Sequence, residues 1–455
     1  MNAILAANLT VVNPGPEMAR LARLAIFRRK GRVPKDANTK ALRKRRLDPR
    51  FVYLYRARPD RIQLPRGLWP KVQGLYPALE IEDRRLSLPS VNFRWRGALR
   101  PHQVPIVTSA AYGGDGLIVA PPGAGKTVMG LACIAEWQQP AVWLCHTERI
   151  WRQAYAEALR RYDLPAGSIG VVGAGFHSPG THLTVALVQA LYRKPAWLTY
   201  LGSRVGAVIY DEAHHIAGLT NARVVSAFPA AHRLGLTATP DRGDGLGPMV
   251  RAVLGPTESK ADLADMVARG LLVLPQVRIR PTPFACRPCE WDVLQRIRAG
   301  SLVRNRLICA DVNRCWRLGG RIIVLVELID HARLLAQFLR DRYGVPAFAA
   351  VGDTPASVRD RSVSLAESGK IVLVATKLAD EGLDAPSLNQ LFLAAAGRSQ
   401  SRIEQQSGRI MRAMAGKVHA VVWDYADLRV PALAGQVRDR MEAYRRMGAT
   451  VRVAT

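Results

Sequence analysis

Carboxylates are scarce in this chain of 455 residues: 36 Asp and Glu stand against 65 Lys and Arg, a formal charge of +29. A surplus that large repels itself in a compact state unless a polyanion relieves it, so the imbalance points to nucleic acid as the partner. A surface tuned only for solubility would lean on acids instead. A membrane-surface protein would carry a basic amphipathic helix with a broad apolar face, and none is legible. Long apolar runs are missing as well. None approaches the roughly 18–20 residues of a bilayer span, and Asn2–Val12 lacks the basic start and cleavage site of a signal peptide. No membrane partner is expected. Cysteine is sparse: six residues, of which only Cys286 and Cys289 lie close together. That excludes a disulfide framework. Zinc would need two further ligands, and Cys309 and Cys315 are spaced unlike a second knuckle, so the pair reads as incidental. No repeat at solenoid spacing is visible.

What is present is a globular composition, 49% hydrophobic, in a chain long enough for two or three domains at about 150 residues each. Residues 20–66 are strongly basic, with runs at Arg28-Arg29-Lys30 and Arg43-Lys44-Arg45-Arg46, and Phe51, Tyr53 and Tyr55 interleave aromatics. Alternate aromatics on a short strand share a face, which suits base stacking or a small core. Prolines 65, 70, 77 and 89 punctuate the stretch that follows. Residues 1–95 therefore read as a basic N-terminal accessory domain that grips nucleic acid without reading sequence. From Leu99 short apolar strands alternate with helical patterns, at Gly116–Ala120, Ala141–Cys145, Ser168–Val172, Thr184–Val188 and Ala207–Tyr210. That alternation implies βαβ units around a buried parallel sheet. A proline-rich stretch from Leu274 to Pro288 reads as a linker, and a second alternating block follows it. The expected fold class is α/β, with two tandem parallel-sheet domains at 96–280 and 281–425 and a C-terminal helical tail at 426–455.

Residues Ala120-Pro121-Pro122-Gly123-Ala124-Gly125-Lys126-Thr127 sit between an apolar strand and a helical pattern. In that context the glycines let backbone N–H groups curl around phosphates, the helix N-terminus adds its positive dipole, and Lys126 reaches the outer phosphates. Thr127 offers a hydroxyl to Mg²⁺. Ala120 stands where the general pattern has its first glycine. Downstream, Val208-Ile209-Tyr210 delivers Asp211 and Glu212 to the C-terminal end of a strand, where α/β sheets bind ligands. Asp211 suits the Mg²⁺ shell, and Glu212 suits the base that orients and deprotonates water, with His214 next in line.

Asp211-Glu-Ala-His214 behind such a loop resembles the DEAD/DEAH-box (DEXH) helicases of superfamily 2. Further motifs match in order. Leu99-Arg-Pro-His-Gln103 is similar to the family's entry motif, whose glutamine reads adenine. Leu236-Thr237-Ala-Thr239-Pro-Asp-Arg242 resembles the motif coupling hydrolysis to nucleic-acid grip. Ala375-Thr376 through Glu381-Gly382-Leu-Asp384-Ala-Pro386 resembles motif V. Gln405-Gln-Ser-Gly-Arg409-Ile-Met-Arg412 resembles motif VI, whose arginines complete the ATP site across the interdomain cleft. The match runs from about Leu99 to Asp424. It implies tandem RecA-like domains, ATP and Mg²⁺ as cofactors, nucleotide contacts at Gln103, Pro122 to Thr127, Gly382, Asp384 and Gln405, and coupling through Thr237, Thr239 and Thr376. Arg409 and Arg412, three apart, share a face if the segment is helical. The endings Gly-Arg-Ile-Met-Arg and Thr-Ala-Thr-Pro-Asp-Arg resemble the DNA-directed branch of XPB-type repair helicases and phage recombination helicases, as do Leu64-Pro-Arg-Gly67 and the tail from Asp424 to Tyr444.

The resulting expectation is an ATP-dependent helicase or translocase working on DNA in recombination, repair or replication, in the cytoplasm of a bacterium or a phage-infected host. An RNA helicase is one alternative. Another is the motor subunit of a restriction or defence assembly; no nuclease constellation is legible, so cutting would need a partner nuclease, and recombination proteins are further candidate partners. A basic scaffold with a degenerate ATP site is the non-enzymatic alternative. The presence of Lys126, Thr127, Asp211, Glu212 and both arginines argues against it.

Overall fold

A computed structural model describes residues 1–30, 42, 47–240, 244–376, 385–397, 400–414, 417 and 419–454. The chain divides by its contacts into two units, Met1–Asp262 and Leu263–Thr455.

The first unit opens with short strands: β1 (Asn2–Leu5), β2 (Leu9–Val12), β3 (Ile26–Arg28), β4 (Phe51–Tyr53), β5 (Arg56–Arg58), β6 (Arg61–Leu64) and β7 (Glu80–Asp83). Five of them form a sheet in the order β5-β6-β2-β1-β7, and β3 pairs with β4 as a separate ribbon. The basic run Arg43–Arg46 lies outside the described residues. On β4 it is Val52 that is buried, while Phe51 and Tyr53 are half-buried on the other face.

A freestanding accessory domain is not what these residues build. Ala3, Leu9, Val11, Leu21, Ile62 and Val72 belong to one apolar core with Leu117 and Tyr210 of the following sheet and with Phe228 and Val253, which lie outside its strands. The Leu64-Pro-Arg-Gly67 stretch is the fastening. Arg66 is 1% exposed and donates to the Ala230 carbonyl at 2.6 Å, the Ala6 carbonyl at 3.3 Å and Asp115 Oδ1 at 2.6 Å. A Cβ on Gly67 would meet the Arg251 carbonyl at 2.4 Å, so only glycine allows the two backbones to close there. Fully buried Arg233 donates to the carbonyls of Ala7, Phe228 and Val253, tying the first hairpin to the sheet as well.

That sheet has eight strands: β8 (Asp115–Val119), β9 (Ala141–Cys145), β10 (Ile169–Gly173), β11 (Phe176–Ser178), β12 (Leu183–Leu187), β13 (Ala207–Asp211), β14 (His232–Thr237) and β15 (Thr257–Lys260), in the order β11-β10-β12-β9-β13-β14-β8-β15. All pairings are parallel except β10 with β11. β9 and β13 are buried along their whole length, as central strands covered on both faces must be.

The second unit contains β16 (Pro275–Pro281), β17 (Ile322–Val326), β18 (Ala347–Ala350), β19 (Val372–Thr376), β20 (Gln390–Leu393), β21 (Ala420–Ala426) and β22 (Thr450–Val453). They form one parallel sheet, ordered β18-β19-β17-β20-β21-β16-β22. The first half of the stretch expected as a linker, Pro275–Pro281, is thus an interior strand. Pro275 and Pro281 stand at the two ends of β16, where few ladder bonds are lost, while Val277 and Ile279 between them are buried. The C-terminal tail is equally integral. Helix Pro431–Arg446 sends Arg440, 2% exposed, onto Asp424 of β21 at 2.7 and 2.8 Å, and the Tyr444 hydroxyl donates to the same carboxylate at 2.8 Å.

Candidate nucleotide site

The phosphate-type loop leaves the end of β8 and enters helix Lys126–Trp137. Gly123 and Gly125 take positive φ of 90° and 84°, and the Ala124 N–H donates to the Pro121 carbonyl at 3.2 Å, closing a tight turn. Gly125 serves as N-cap in the left-handed region with no side-chain cap, so the first N–H groups of the helix have no intrahelical acceptor. Such a terminus favours an anion. Lys126 Nζ donates to the Ala120 carbonyl at 3.1 Å, folding back over the loop, and Thr127 is half-buried beside it.

Gln103 and His102 brace the loop from below. The Gln103 side chain, 3% exposed, donates to the Ala124 carbonyl at 3.1 Å and accepts the Arg100 N–H at 3.0 Å; His102 Nε2 lies 3.2 Å from the same Ala124 carbonyl. A Cβ at position 125 would sit 2.4 Å from the Gln103 amide, so the Gln103 side chain would have to shift for any other residue there.

The acid pair stands two strands away on the same sheet edge. Asp211, 6% exposed, ends β13 and accepts the Glu212 N–H at 2.9 Å. Burial raises its carboxyl well above the usual range, the neighbouring Glu212 charge adds to that, and Lys126 opposes both. Glu212 itself is left-handed, φ 51° and ψ 58°, one of few non-glycine residues so placed. That conformation costs an L-residue about 1 kcal/mol or more and is found where a side chain must be aimed. His214 Nδ1 lies 3.4 Å from Glu212 Oε2. Between the loop and the acids runs β14, whose last residue Thr237 is fully buried; its carbonyl accepts the Ala120 N–H at 3.0 Å, and its hydroxyl accepts the Thr239 N–H at 3.2 Å. Pro122 to Thr127, Asp211, Glu212, His214, Thr237 and Thr239 therefore gather at one end of β8, β13 and β14. The Lys30 N–H donates to the Asp244 carbonyl at 2.7 Å, so the basic segment reaches the loop that follows Thr239.

Sequence reasoning missed two members of this edge. The His215 ring lies 4.2 Å from that of His214 and 3.8 Å from that of His146, which follows β9. Burial pulls His146 down to about 4, Glu212 opposing and His214 reinforcing. A histidine directly after an apolar strand was the available signal.

In the second unit Thr376 ends β19 and is buried, and Arg409 is half-buried on helix Gln400–Met411, which also carries Gln405. Arg412 does not share a helical face with Arg409. The helix stops at Met411, whose carbonyl accepts the Val273 N–H at 2.7 Å, and Arg412 enters an antiparallel bridge with Leu272. A cavity of about 150 Å³ opens where β17 and β20 end, lined by Val326, Leu393, Arg402, Ile403 and Gln406. Gly382, Asp384, Arg242 and the Gln405 side chain lie outside the described residues. Cys286 and Cys289 bring their sulfurs to 3.8 Å, and among the described residues no group of three or more potential metal ligands converges. No described helix is long and apolar enough to cross a membrane.

A loop of this geometry with an acid pair on the same parallel-sheet edge defines a P-loop nucleotide-binding protein. Residues 96–242 match the family described as the type III restriction enzyme res subunit, and residues 305–414 match the helicase conserved C-terminal domain. The chain is 30% identical to a DNA 3'-5' helicase XPB of Kineococcus radiotolerans over 69% of its own length and 57% of that protein's. It is 24% identical to a helicase of Escherichia phage T5 over 81% and 80% of the two lengths. Among solved structures, a type ISP restriction-modification enzyme shares the fold with a TM-score of 0.58 and 15% identity, over 77% of this chain and 30% of that one. The chain belongs to the superfamily-2 helicases, with tandem RecA-like domains, and resembles their XPB-like branch. It spans between 52% and 60% of the length of the XPB, Rad25 and viral relatives it first matches.

Proposed function

We propose that this chain is an ATP-driven DNA translocase or helicase. The observation that carries the reading is the convergence of the Lys126 loop, the Asp211–Glu212 pair and Thr237 at one sheet edge. Lys126 would neutralise the outer phosphates, and the amides of Pro122 to Thr127 would cradle them. A magnesium ion would be held by Thr127 and Asp211; a buried carboxylate whose protonation burial favours is one that a cation ionises. The ion would screen charge on the transferring phosphoryl group. Glu212, aimed by its left-handed backbone and flanked by His214, would orient and deprotonate the attacking water. Arg409 and Arg412 would stabilise the charge that develops during transfer, with Gln405, Gly382 and Asp384 contributing to nucleotide binding. Gln103 supports the loop and is the candidate reader of adenine. Thr237, bonded to Ala120 and to Thr239, would together with Thr239 report the nucleotide to the strand-binding surface, with Thr376 as their counterpart in the second unit.

DNA is favoured by the names of the XPB and Rad25 relatives and by the charge of +29. Their stated 3'-5' direction is the first to test here. A cytoplasmic location suits such a motor. A second reading, the motor subunit of a restriction assembly, is favoured by the match of residues 96–242 and by the restriction-enzyme fold neighbour. The deciding experiment measures ATP turnover with single-stranded DNA, duplex DNA, forked DNA and RNA in parallel. Stimulation by DNA supports the proposal. Stimulation by RNA alone transfers it to the RNA helicases, and no stimulation by any nucleic acid sinks it.

A further inference from the structure

Far from the nucleotide edge, the first unit carries an aromatic and cationic surface that the motor motifs leave unexplained. In sheet order β11 lies six strands from β8, roughly 30 Å at about 4.8 Å per strand. His177 on this three-residue edge strand stacks on Trp197 with ring centres 5.8 Å apart and planes 23° apart. Trp197 meets Tyr200 edge-on at 5.5 Å, and the Arg204 guanidinium lies 4.1 Å over the Tyr200 ring. Lys194 Nζ lies 3.0 Å from His177 Nε2. Trp197 and Tyr200 stand on helix Pro195–Gly202, Lys194 and Arg204 flank it, and Tyr192 and Tyr200 are 44% and 40% exposed.

The charge balance is one-sided. From Leu164 to Tyr210 the sequence holds no Asp or Glu, while Arg193, Lys194 and Arg204 are all exposed. The exposed His177 and Tyr200 rings cost hydration that a core would recover, while Trp197 between them is half-buried against the core, and cations with no acid in their own stretch of chain repel each other. An oligonucleotide relieves both: phosphates meet the cations, and unpaired bases stack on the rings, which accept any base because each has a π-face. A duplex would offer only its phosphates, since its bases are already stacked.

We propose that His177, Trp197 and Tyr200, with Lys194, Arg193 and Arg204, form a stacking platform for a single-stranded nucleic acid. The inference rests on the nucleic-acid reading above. It is tested with Tyr200→Ala, whose ring is exposed, and with Lys194→Gln/Arg204→Gln, all in the full chain. Affinity is measured for a dT oligonucleotide and for one of equal length with abasic sites, across a salt series. Tyr200→Ala should bind the dT strand about 5- to 150-fold more weakly, the loss of one stacked base, while binding the abasic strand as the parent does. The double glutamine variant should weaken both strands and flatten the salt dependence by about two phosphate contacts. Basal ATP turnover without nucleic acid should be unchanged in every variant. Parental affinity and slope in the variants would overturn the platform, as would an equal loss on both strands in Tyr200→Ala. If the parent itself binds neither strand, the failure lies with the motor reading instead.

Discussion

Replacing Arg66 by alanine tests whether the basic N-terminal residues are an appendage or part of the first unit's core. Its guanidinium is 1% exposed and satisfies three acceptors, two of them the carbonyls of Ala6 and Ala230 and the third the Asp115 carboxylate. Burial works against the charge, and the nearby Asp115 restores part of it. Removing one partner of a buried ion pair typically costs about 3–5 kcal/mol, because the other is left unpaired. Asp115 is 19% exposed at its side chain, so water reaches the orphaned carboxylate and the lower end, about 3 kcal/mol, applies. For a unit of this size each kcal/mol moves the midpoint by about 2–4 °C, so calorimetry should show the first unit's transition about 6–12 °C lower. Arg66→Lys should recover little, since one ammonium cannot reproduce a planar fork serving three acceptors. A shift below about 2 °C in Arg66→Ala would refute the reasoning: the pocket would then be wet or able to collapse, and the fastening would lie elsewhere.

Lys126→Ala should abolish ATP turnover while leaving strand binding largely intact; turnover within a few-fold of the parent would remove the loop from the site. Glu212→Gln should bind ATP and stall before hydrolysis, seen as a retained nucleotide signal with no phosphate release, because shape and Asp211 are kept while the base is lost. Arg409→Ala and Arg412→Ala should each lower turnover by about 10³ or more with little change in ATP affinity, and parallel losses of both would assign them to ground-state binding. Deleting residues 1–90 should yield an aggregating or unfolded chain by near-UV circular dichroism, since it strips the apolar partners of Leu117, Phe228 and Val253. A folded truncation would show that this part of the core is dispensable.

Much of the site was legible because its chemistry is local. Ala120 to Thr127 needs only a strand before it and a helix after it, and both follow from the periodicity of the residues themselves. Asp211 and Glu212 inherit their position from the apolar strand that delivers them. Short buried strands such as Ala141–Cys145 and Ile322–Val326 announce themselves by unbroken apolar character. Arg412 shows the limit of that reading: an i,i+3 spacing assumes a helix, and the bridge to Leu272, 140 positions earlier, ends it one residue sooner.

By itself, then, the sequence determined the tandem α/β order, the phosphate loop, its acids and the basic character of the chain. Tertiary structure alone decided that the N-terminal strands merge with the first core, that Pro275–Pro281 is an interior strand, and that Glu212 is left-handed beside a cluster of three imidazoles. The reason is physical. A motif's meaning comes from neighbours within one turn or strand, whereas a buried arginine such as Arg66 looks like any other basic residue until Asp115, Ala6 and Ala230 surround it.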